Sequence, residues 1–205
     1  MPNEWLEIMA FTKDLMTAIA AGIASIVAIV GLTTWKRQLK GTAEYDLARR
    51  VLEATYSLRD AIRHVRNPII FSSEEYESLK KVYPEVSVEH LDDEYLKKMA
   101  VLNRRWEKVL DANTDFDIAS IEAEVLWEDE VKERLKPIHD SVASLYSAIK
   151  LYLTYLPSEQ PNDKVVAEDF RKIAFGHRDE QDKFNNELEI RINNVEKFLR
   201  QYLRK

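Results

Sequence analysis

The stretch "LMTAIAAGIASIVAIVGLTTWKRQLK", residues 15–40, decides how the rest of this chain is organised. Its first part, residues 15–35, contains no charged side chain. A helix of that length rises about 31 Å, which matches the hydrocarbon thickness of a bilayer. The few polar side chains are hydroxyls, which can donate to carbonyls of their own helix: Thr17, Ser25, Thr33 and Thr34. We therefore predict one transmembrane helix over residues 15–35.

The flanks of this segment indicate its orientation. Trp5 precedes it and Trp35 ends it, so that an aromatic ring is available at each headgroup layer. Lys36, Arg37 and Lys40 follow directly, and basic side chains flank spans on their cytoplasmic side. The sequence predicts a bacterial inner-membrane protein with its N-terminus outside and its C-terminal domain in the cytoplasm.

The first 14 residues, "MPNEWLEIMAFTKD", predict a short periplasmic or interfacial segment. A secretory signal begins with a basic region and has a shorter apolar core than residues 15–35. This leader instead carries Glu4, Glu7 and Asp14 against a single Lys13. We expect the segment to remain as an uncleaved anchor.

Small side chains recur along the apolar segment at spacings of three and four. Such rows let helix backbones approach closely in lipid, where close packing is a main source of helix association. We therefore predict that copies of the chain associate through these positions, with the larger apolar side chains left to meet lipid. The predicted packing positions are Ala18, Ala20, Ala21, Gly22, Ala24, Ser25 and Ala28.

Composition favours an all-α protein and excludes several classes of site. The 205 residues include only four glycines and no cysteine, which excludes glycine-rich phosphate loops, disulfides and thiolate metal sites. We predict no cofactor. The net charge of the chain is −6, and residues 1–41 carry four basic and three acidic side chains, so the remainder carries a net charge of −7. An acidic soluble portion argues against nucleic acid as a partner.

Apolar periodicity after residue 40 predicts a cytosolic helical bundle of four main helices with short accessory ones. Gly41 is the expected hinge before a juxtamembrane helix over residues 36–66, and Pro68 ends that helix. Ser72 and Glu75 have the spacing of a capping box for a short helix that reaches about Pro84. Residues 67–205 then complete the bundle.

The later helices are predicted from the same periodicity. One helix is expected over residues 92–113 and a longer one over residues 116–156, with a bend near Pro137. A short helix over residues 164–175 and a C-terminal helix follow.

The segment "RDAIRH", Arg59 to His64, resembles the Arg-x4-His signature of HEPN-type helical ribonucleases. In that family the Arg and His of paired helices act on the RNA backbone, and His is suited to acid and base work near neutral pH. The same loose pattern occurs in "RLKPIH", residues 134–139, and "RKIAFGH", residues 171–177. A membrane-tethered ribonuclease that uses Arg59 and His64 is therefore one alternative function.

Arg59, Arg63 and Arg66 share a helix face, and we expect them to form ion pairs. The segment "EAEVLWEDEVKER" offers an acidic helix as their partner. The same segment can instead be a solvated face, a cation-attracting surface of an oligomer, or the docking site of an adaptor for a soluble protein. Its acidic residues are Glu122, Glu124, Glu128, Asp129, Glu130 and Glu133.

Residues 35–68, from "WKRQLKGTAEYDL" onward, resemble the junction in a group of uncharacterised bacterial proteins with one N-terminal span and a cytosolic helical domain. That resemblance implies the layout and transfers no functional residue. The layout is also similar to that of membrane effectors of anti-phage systems, some of which assemble into pores. The leading hypothesis is a non-enzymatic, self-associating membrane protein that works as a pore or membrane effector.

Overall fold

The computed structural model describes residues 2–85, 93–176 and 182–204, with side chains from residue 8 onward. These residues form helices and no strand, which confirms the all-α prediction of one long apolar N-terminal helix followed by a helical region. The chain divides into two units, Met1–Tyr45 and Asp46–Lys205. The helices are α1 (Pro2–Val65), α2 (Ser72–Val82), α3 (Glu94–Tyr155), α4 (Pro161–Ala174) and α5 (Lys183–Leu203).

The first unit is the apolar part of α1, and every described side chain from residue 8 to residue 40 is exposed. By length and composition this is the one helix among the described residues that could cross a membrane. Its hydroxyls donate back to the helix, as the sequence predicts: Thr17 to the carbonyl of Lys13 at 2.8 Å and Ser25 to that of Ala21 at 2.9 Å. Thr33 donates likewise to the carbonyl of Val30 at 2.9 Å, so three of the four predicted hydroxyls are satisfied within the helix, as a lipid environment favours.

The predicted hinge at Gly41 is wrong, because α1 continues through this residue without a break. A helical glycine costs only about 1 kcal/mol relative to alanine, which neighbouring helical contacts can offset. Here Lys40 lies 3.7 Å from Glu44, and Thr42 donates to the carbonyl of Gln38 at 3.1 Å. The predicted end of the helix before Pro68 is confirmed, since α1 ends at Val65.

The second unit is built around a continuous apolar core. The end of α1, both parts of α3 and α5 each bury one stripe of side chains in it, as their periodicity predicts. Phe116 has no exposed surface and is the largest fully buried side chain. The other fully buried members of the core include Val51, Leu58, Val65, Leu102, Val109, Leu135, Leu145, Val195 and Leu199.

The break in α3 lies at Glu128 rather than near Pro137, and the gap expected between residues 113 and 116 is helical. Glu128 has φ 52° and ψ −139°, a conformation that is costly for any residue other than glycine. Beside it, Trp127 stacks on Tyr202 with ring centroids 4.7 Å apart and meets Phe198 edge-on. These contacts with α5 hold the residue next to the break, whereas Pro137 lies within the helix.

The N-terminal caps of α2 and α3 differ from the predicted ones. Phe71 takes the N-cap position of α2 and forms no side-chain cap, so the predicted capping box of Ser72 and Glu75 is wrong. Ser72 is already helical. By contrast, Asp93 caps α3 by accepting from the amides of Tyr95 and Leu96, and the helix begins at Glu94, two residues later than predicted.

Candidate functional site

The apolar helix of the first unit has two different sides. At about 100° per residue, the predicted packing positions fall on one side of α1 and most of the large apolar side chains on the other, while Ile29 and Leu32 lie on the side of the packing positions near their C-terminal end. The small side comprises Ala18, Ala20, Ala21, Gly22, Ala24, Ser25 and Ala28, and Gly31 extends it. The large side comprises Leu15, Ile19, Ile23, Ile26, Val27 and Val30, all of them exposed.

At its two glycines, the small side is not covered by any of the described residues. A methyl group placed on Gly22 would meet no atom within 4 Å, and the same holds for Gly31. A larger residue at either position therefore has no steric cost in a single chain. Any effect of such a substitution on association would report a contact with another molecule.

The predicted interface anchors are available on the exposed surface of α1. Trp35 is exposed, as are Lys36 and Arg37. Lys40 is exposed and pairs with Glu44. The side chain of Trp5 lies outside the described residues, so its role as an anchor stays a prediction.

Arg59 and His64 have separate surroundings. The guanidinium of Arg59 donates to Asp60 at 2.9 Å and lies over the ring of Tyr56. His64 is five residues further on, about 140° around the helix, and its Nε2 lies 3.4 Å from Nζ of Lys108. No described contact joins the two residues, and the ribonuclease hypothesis stays a prediction that loss of RNA cleavage in His64→Ala would test.

The other two arginines of the predicted face, Arg63 and Arg66, form ion pairs, as the sequence predicts, but not with the acidic segment. Arg63 reaches Glu189 of α5 at 2.9 Å. Arg66 pairs with Asp182 at 2.9 Å, donates to the carbonyl of Ile173 at 2.8 Å and lies over the ring of Phe184. With both partners under 10% exposed, this pair ties the end of α1 to α4 and α5.

The acidic segment contributes one described ion pair to α1, between Glu122 and Arg50. Glu130 pairs with Arg134 within α3, and Glu128, Asp129 and Glu133 are exposed. The predicted helix-on-helix charge pairing is therefore wrong, because the core stripes of α3 and α1 face each other and leave most of these carboxylates outside. This geometry favours the interpretation of the acidic segment as a solvated face of α3.

A second buried arginine, Arg105 on α3, organises the loop between α1 and α2. Its guanidinium is 2% exposed and donates to both carboxylate oxygens of Glu74 at 2.7 Å. It also donates to the carbonyls of Asn67 and Ile69. Hydrogen bonding to Arg105 outweighs burial and lowers the pKa of Glu74. A bidentate pair of this kind fixes geometry as well as charge.

The sequence contained a signal for this arginine. Arg105 stands four residues after Val101 and four before Val109, in the middle of a buried stripe. A charged residue at a core position implies a buried partner, although the identity of that partner depends on the tertiary fold.

Two cavities of the second unit have a histidine in their walls. One, of about 290 Å³, lies beside His64, Arg104 and Lys108. The other, of about 420 Å³, has Trp106 and Tyr146 in its wall, with Nδ1 of His139 3.1 Å from Asp117. Among the described residues no group of three or more His, Cys, Asp or Glu side chains could hold a metal ion.

Comparison of the chain with protein-family models, curated proteins and solved structures finds no match in any of the three.

Proposed function

We propose that this chain is a non-enzymatic, membrane-anchored protein whose apolar helix crosses a bilayer once and packs against the same helix in other copies. The single observation that carries the proposal is the complete exposure of that helix. From residue 8 to residue 40 no described side chain is buried, although the segment contains the most apolar run in the chain. An apolar surface of this extent needs a non-aqueous environment.

A lipid environment accounts for the features of this helix together. The uncharged length matches one crossing, three of its four hydroxyls donate to carbonyls of the same helix, and Trp35 precedes a basic cluster. With the basic flank inside, the second unit lies in the cytoplasm and the N-terminus outside.

Association through the small side explains why the two sides of the helix differ. Lipid chains are as apolar as leucine, so burial of apolar surface does not favour contact between two spanning helices. Close backbone approach does, and the positions around Gly22 and Ala24 permit it. In an assembly the second units form a cytoplasmic collar, and conduction of ions or disturbance of the membrane is the activity that this arrangement supports.

The assembly is tested by size in a mild detergent. Native mass spectrometry of the full chain should show a defined multimer. Ala24→Leu or Gly22→Leu should shift it to monomer, because a bulky side chain separates the packed backbones. Val30→Phe adds similar bulk on the opposite side and should leave the multimer intact. A monomeric wild-type chain, or equal effects of Ala24→Leu and Val30→Phe, would remove the proposal.

The activity is tested separately in liposomes that contain a fluorescent ion indicator. Wild-type protein should release ions faster than Ala24→Leu protein at the same density. Equal leakage by both would show that the assembly does not conduct.

A further inference from the structure

The cavity between the end of α1, the start of α2 and α3 holds the ammonium group of Lys108 beside the imidazole of His64. Nζ of Lys108 lies 3.4 Å from Nε2 of His64. No described carboxylate lies within ion-pair distance of Lys108. A neutral His64 accepts from this ammonium group, whereas a protonated His64 would be repelled by it unless an anion balanced the two charges.

The two carboxylates at the cavity are already committed to other partners. Glu74 gives both oxygens to Arg105. Glu77 accepts from Nη2 of Arg104 at 2.7 Å. Nη1 of Arg104 is buried and has no hydrogen-bond partner in the described part of the chain. Lys108 is exposed and has no carboxylate partner among the described residues, and Arg104 on the same wall of the cavity has a guanidinium donor without an acceptor.

The start of α2 adds a weaker contribution of the same sign. Ser73, in the first turn of this helix, lies at the cavity, and no side chain caps the turn. Amide groups in an uncapped first turn carry the positive end of the helix dipole. Their partial positive charge adds to that of the cationic side chains at the cavity.

We propose that this cavity binds a dianion of the phosphate class through Lys108, Arg104 and His64. Its volume of about 290 Å³ accommodates inorganic phosphate or a small phosphate monoester. A lipid phosphate headgroup presents the same chemistry. The proposal does not depend on membrane crossing or on self-association.

Binding should respond to pH through His64. Burial, then Lys108 and Arg105, lower the pKa of His64, while Glu74 on α2 acts in the opposite direction. A bound dianion would raise this pKa, because it favours the protonated imidazole. Sulfate remains dianionic over the whole neutral range, so its affinity should increase as the pH falls from about 8 to about 6.

The test is calorimetric titration of the full chain, held in phosphatidylcholine nanodiscs, with inorganic phosphate and with sulfate. Ionic strength is kept constant with chloride. Wild-type protein should bind both anions saturably at one site. Lys108→Gln should weaken binding about tenfold, since it removes one charged hydrogen-bond donor. Lys136→Gln removes an exposed charge from the same helix and should leave the affinity unchanged.

A second arm identifies the source of the phosphate group. Nanodiscs with a minor share of phosphatidate should shift the NMR signal of His64 before any phosphate is added if a headgroup reaches the cavity. The proposal is overturned if neither free anions nor phosphatidate bind saturably. Equal binding by wild-type and Lys108→Gln protein would overturn it as well.

Discussion

Two isoleucines of the same helix, Ile23 and Ile62, show how the two units of this chain differ. Ile23 is 59% exposed and Ile62 is 1% exposed, although both lie in regular turns of α1. Around Ile62, side chains of α1, α3 and α5 form a common core. Around Ile23 no part of the chain that the structure describes forms such a core. One helix thus carries apolar side chains that the core of the second unit buries and apolar side chains that remain exposed.

This contrast separates two uses of apolar side chains. In the second unit they exclude water and stabilise the fold, at about 25 cal/mol for each Å² buried. In the first unit they contribute nothing to the stability of a single chain in water. Their contribution arises when lipid or another copy covers them, which is why the contrast itself can be tested.

The largest expected effect comes from truncation of the two isoleucines. Ile62→Ala should lower the free energy of unfolding of the second unit by about 4 kcal/mol, because it removes buried apolar surface and leaves a cavity. Ile23→Ala, the same change on the same helix, should leave it unchanged. Urea unfolding of the full chain in mild detergent, followed by tryptophan fluorescence, measures both. Similar losses in the two variants would show that the units share one core.

The second largest effect on the free energy of unfolding should come from the buried ion pair of Arg105 and Glu74. Arg105→Gln should lower the free energy of unfolding by about 3 kcal/mol, because it leaves Glu74 and the carbonyls of Asn67 and Ile69 without their donor. Lys81→Gln removes an exposed pair with Glu107 and should cost less than about 0.5 kcal/mol. The same unfolding measurement compares them. A small loss at Arg105 would mean that water replaces its contacts.

Acid should weaken the same pair. The pKa of Glu74 is lowered in the folded state, so its contribution is complete above the unfolded value of about 4.3. The contribution is lost as the pH falls through the lower, folded value. Stability curves between about pH 7 and pH 3 should therefore converge for wild-type and Glu74→Gln protein at the acid end. A constant difference across this range would contradict the assignment to Glu74.

The smallest expected effect is a gain at the break in α3. Glu128→Gly should raise the free energy of unfolding by about 1 kcal/mol, because glycine adopts the positive φ of this position without a steric cost. Glu130→Gly, in regular helix two residues later, should lower it by about 1 kcal/mol. A loss in both variants would place the break elsewhere.

The sequence predicted those features that depend on local pattern. Apolar spacing identified the buried stripes of α1 and α5, and Pro68 marked the end of α1. The uncharged run of residues 15–35 identified the exposed helix before any contact was known. Each of these features is encoded within a few turns of chain.

Features that depend on tertiary contacts were missed or assigned to the wrong partner. Arg66 was expected to form an ion pair, but its partner Asp182 is distant in sequence. Glu128 gave no signal of a break, since a glutamate does not indicate a positive φ. Arg105 and the cavity beside His64 required α1, α2 and α3 to meet. Local pattern therefore determined the helices, whereas the charged sites followed from how the helices pack.

The most direct test of the central claim is the topology of α1 in intact bacterial cells. The chain has no cysteine, so a single introduced thiol can be labelled without background. A membrane-impermeant maleimide should react with Asn3→Cys in intact cells. It should react with Gln201→Cys only after the inner membrane is permeabilised. Labelling of both positions, or of neither, before permeabilisation would contradict a single crossing with the N-terminus outside.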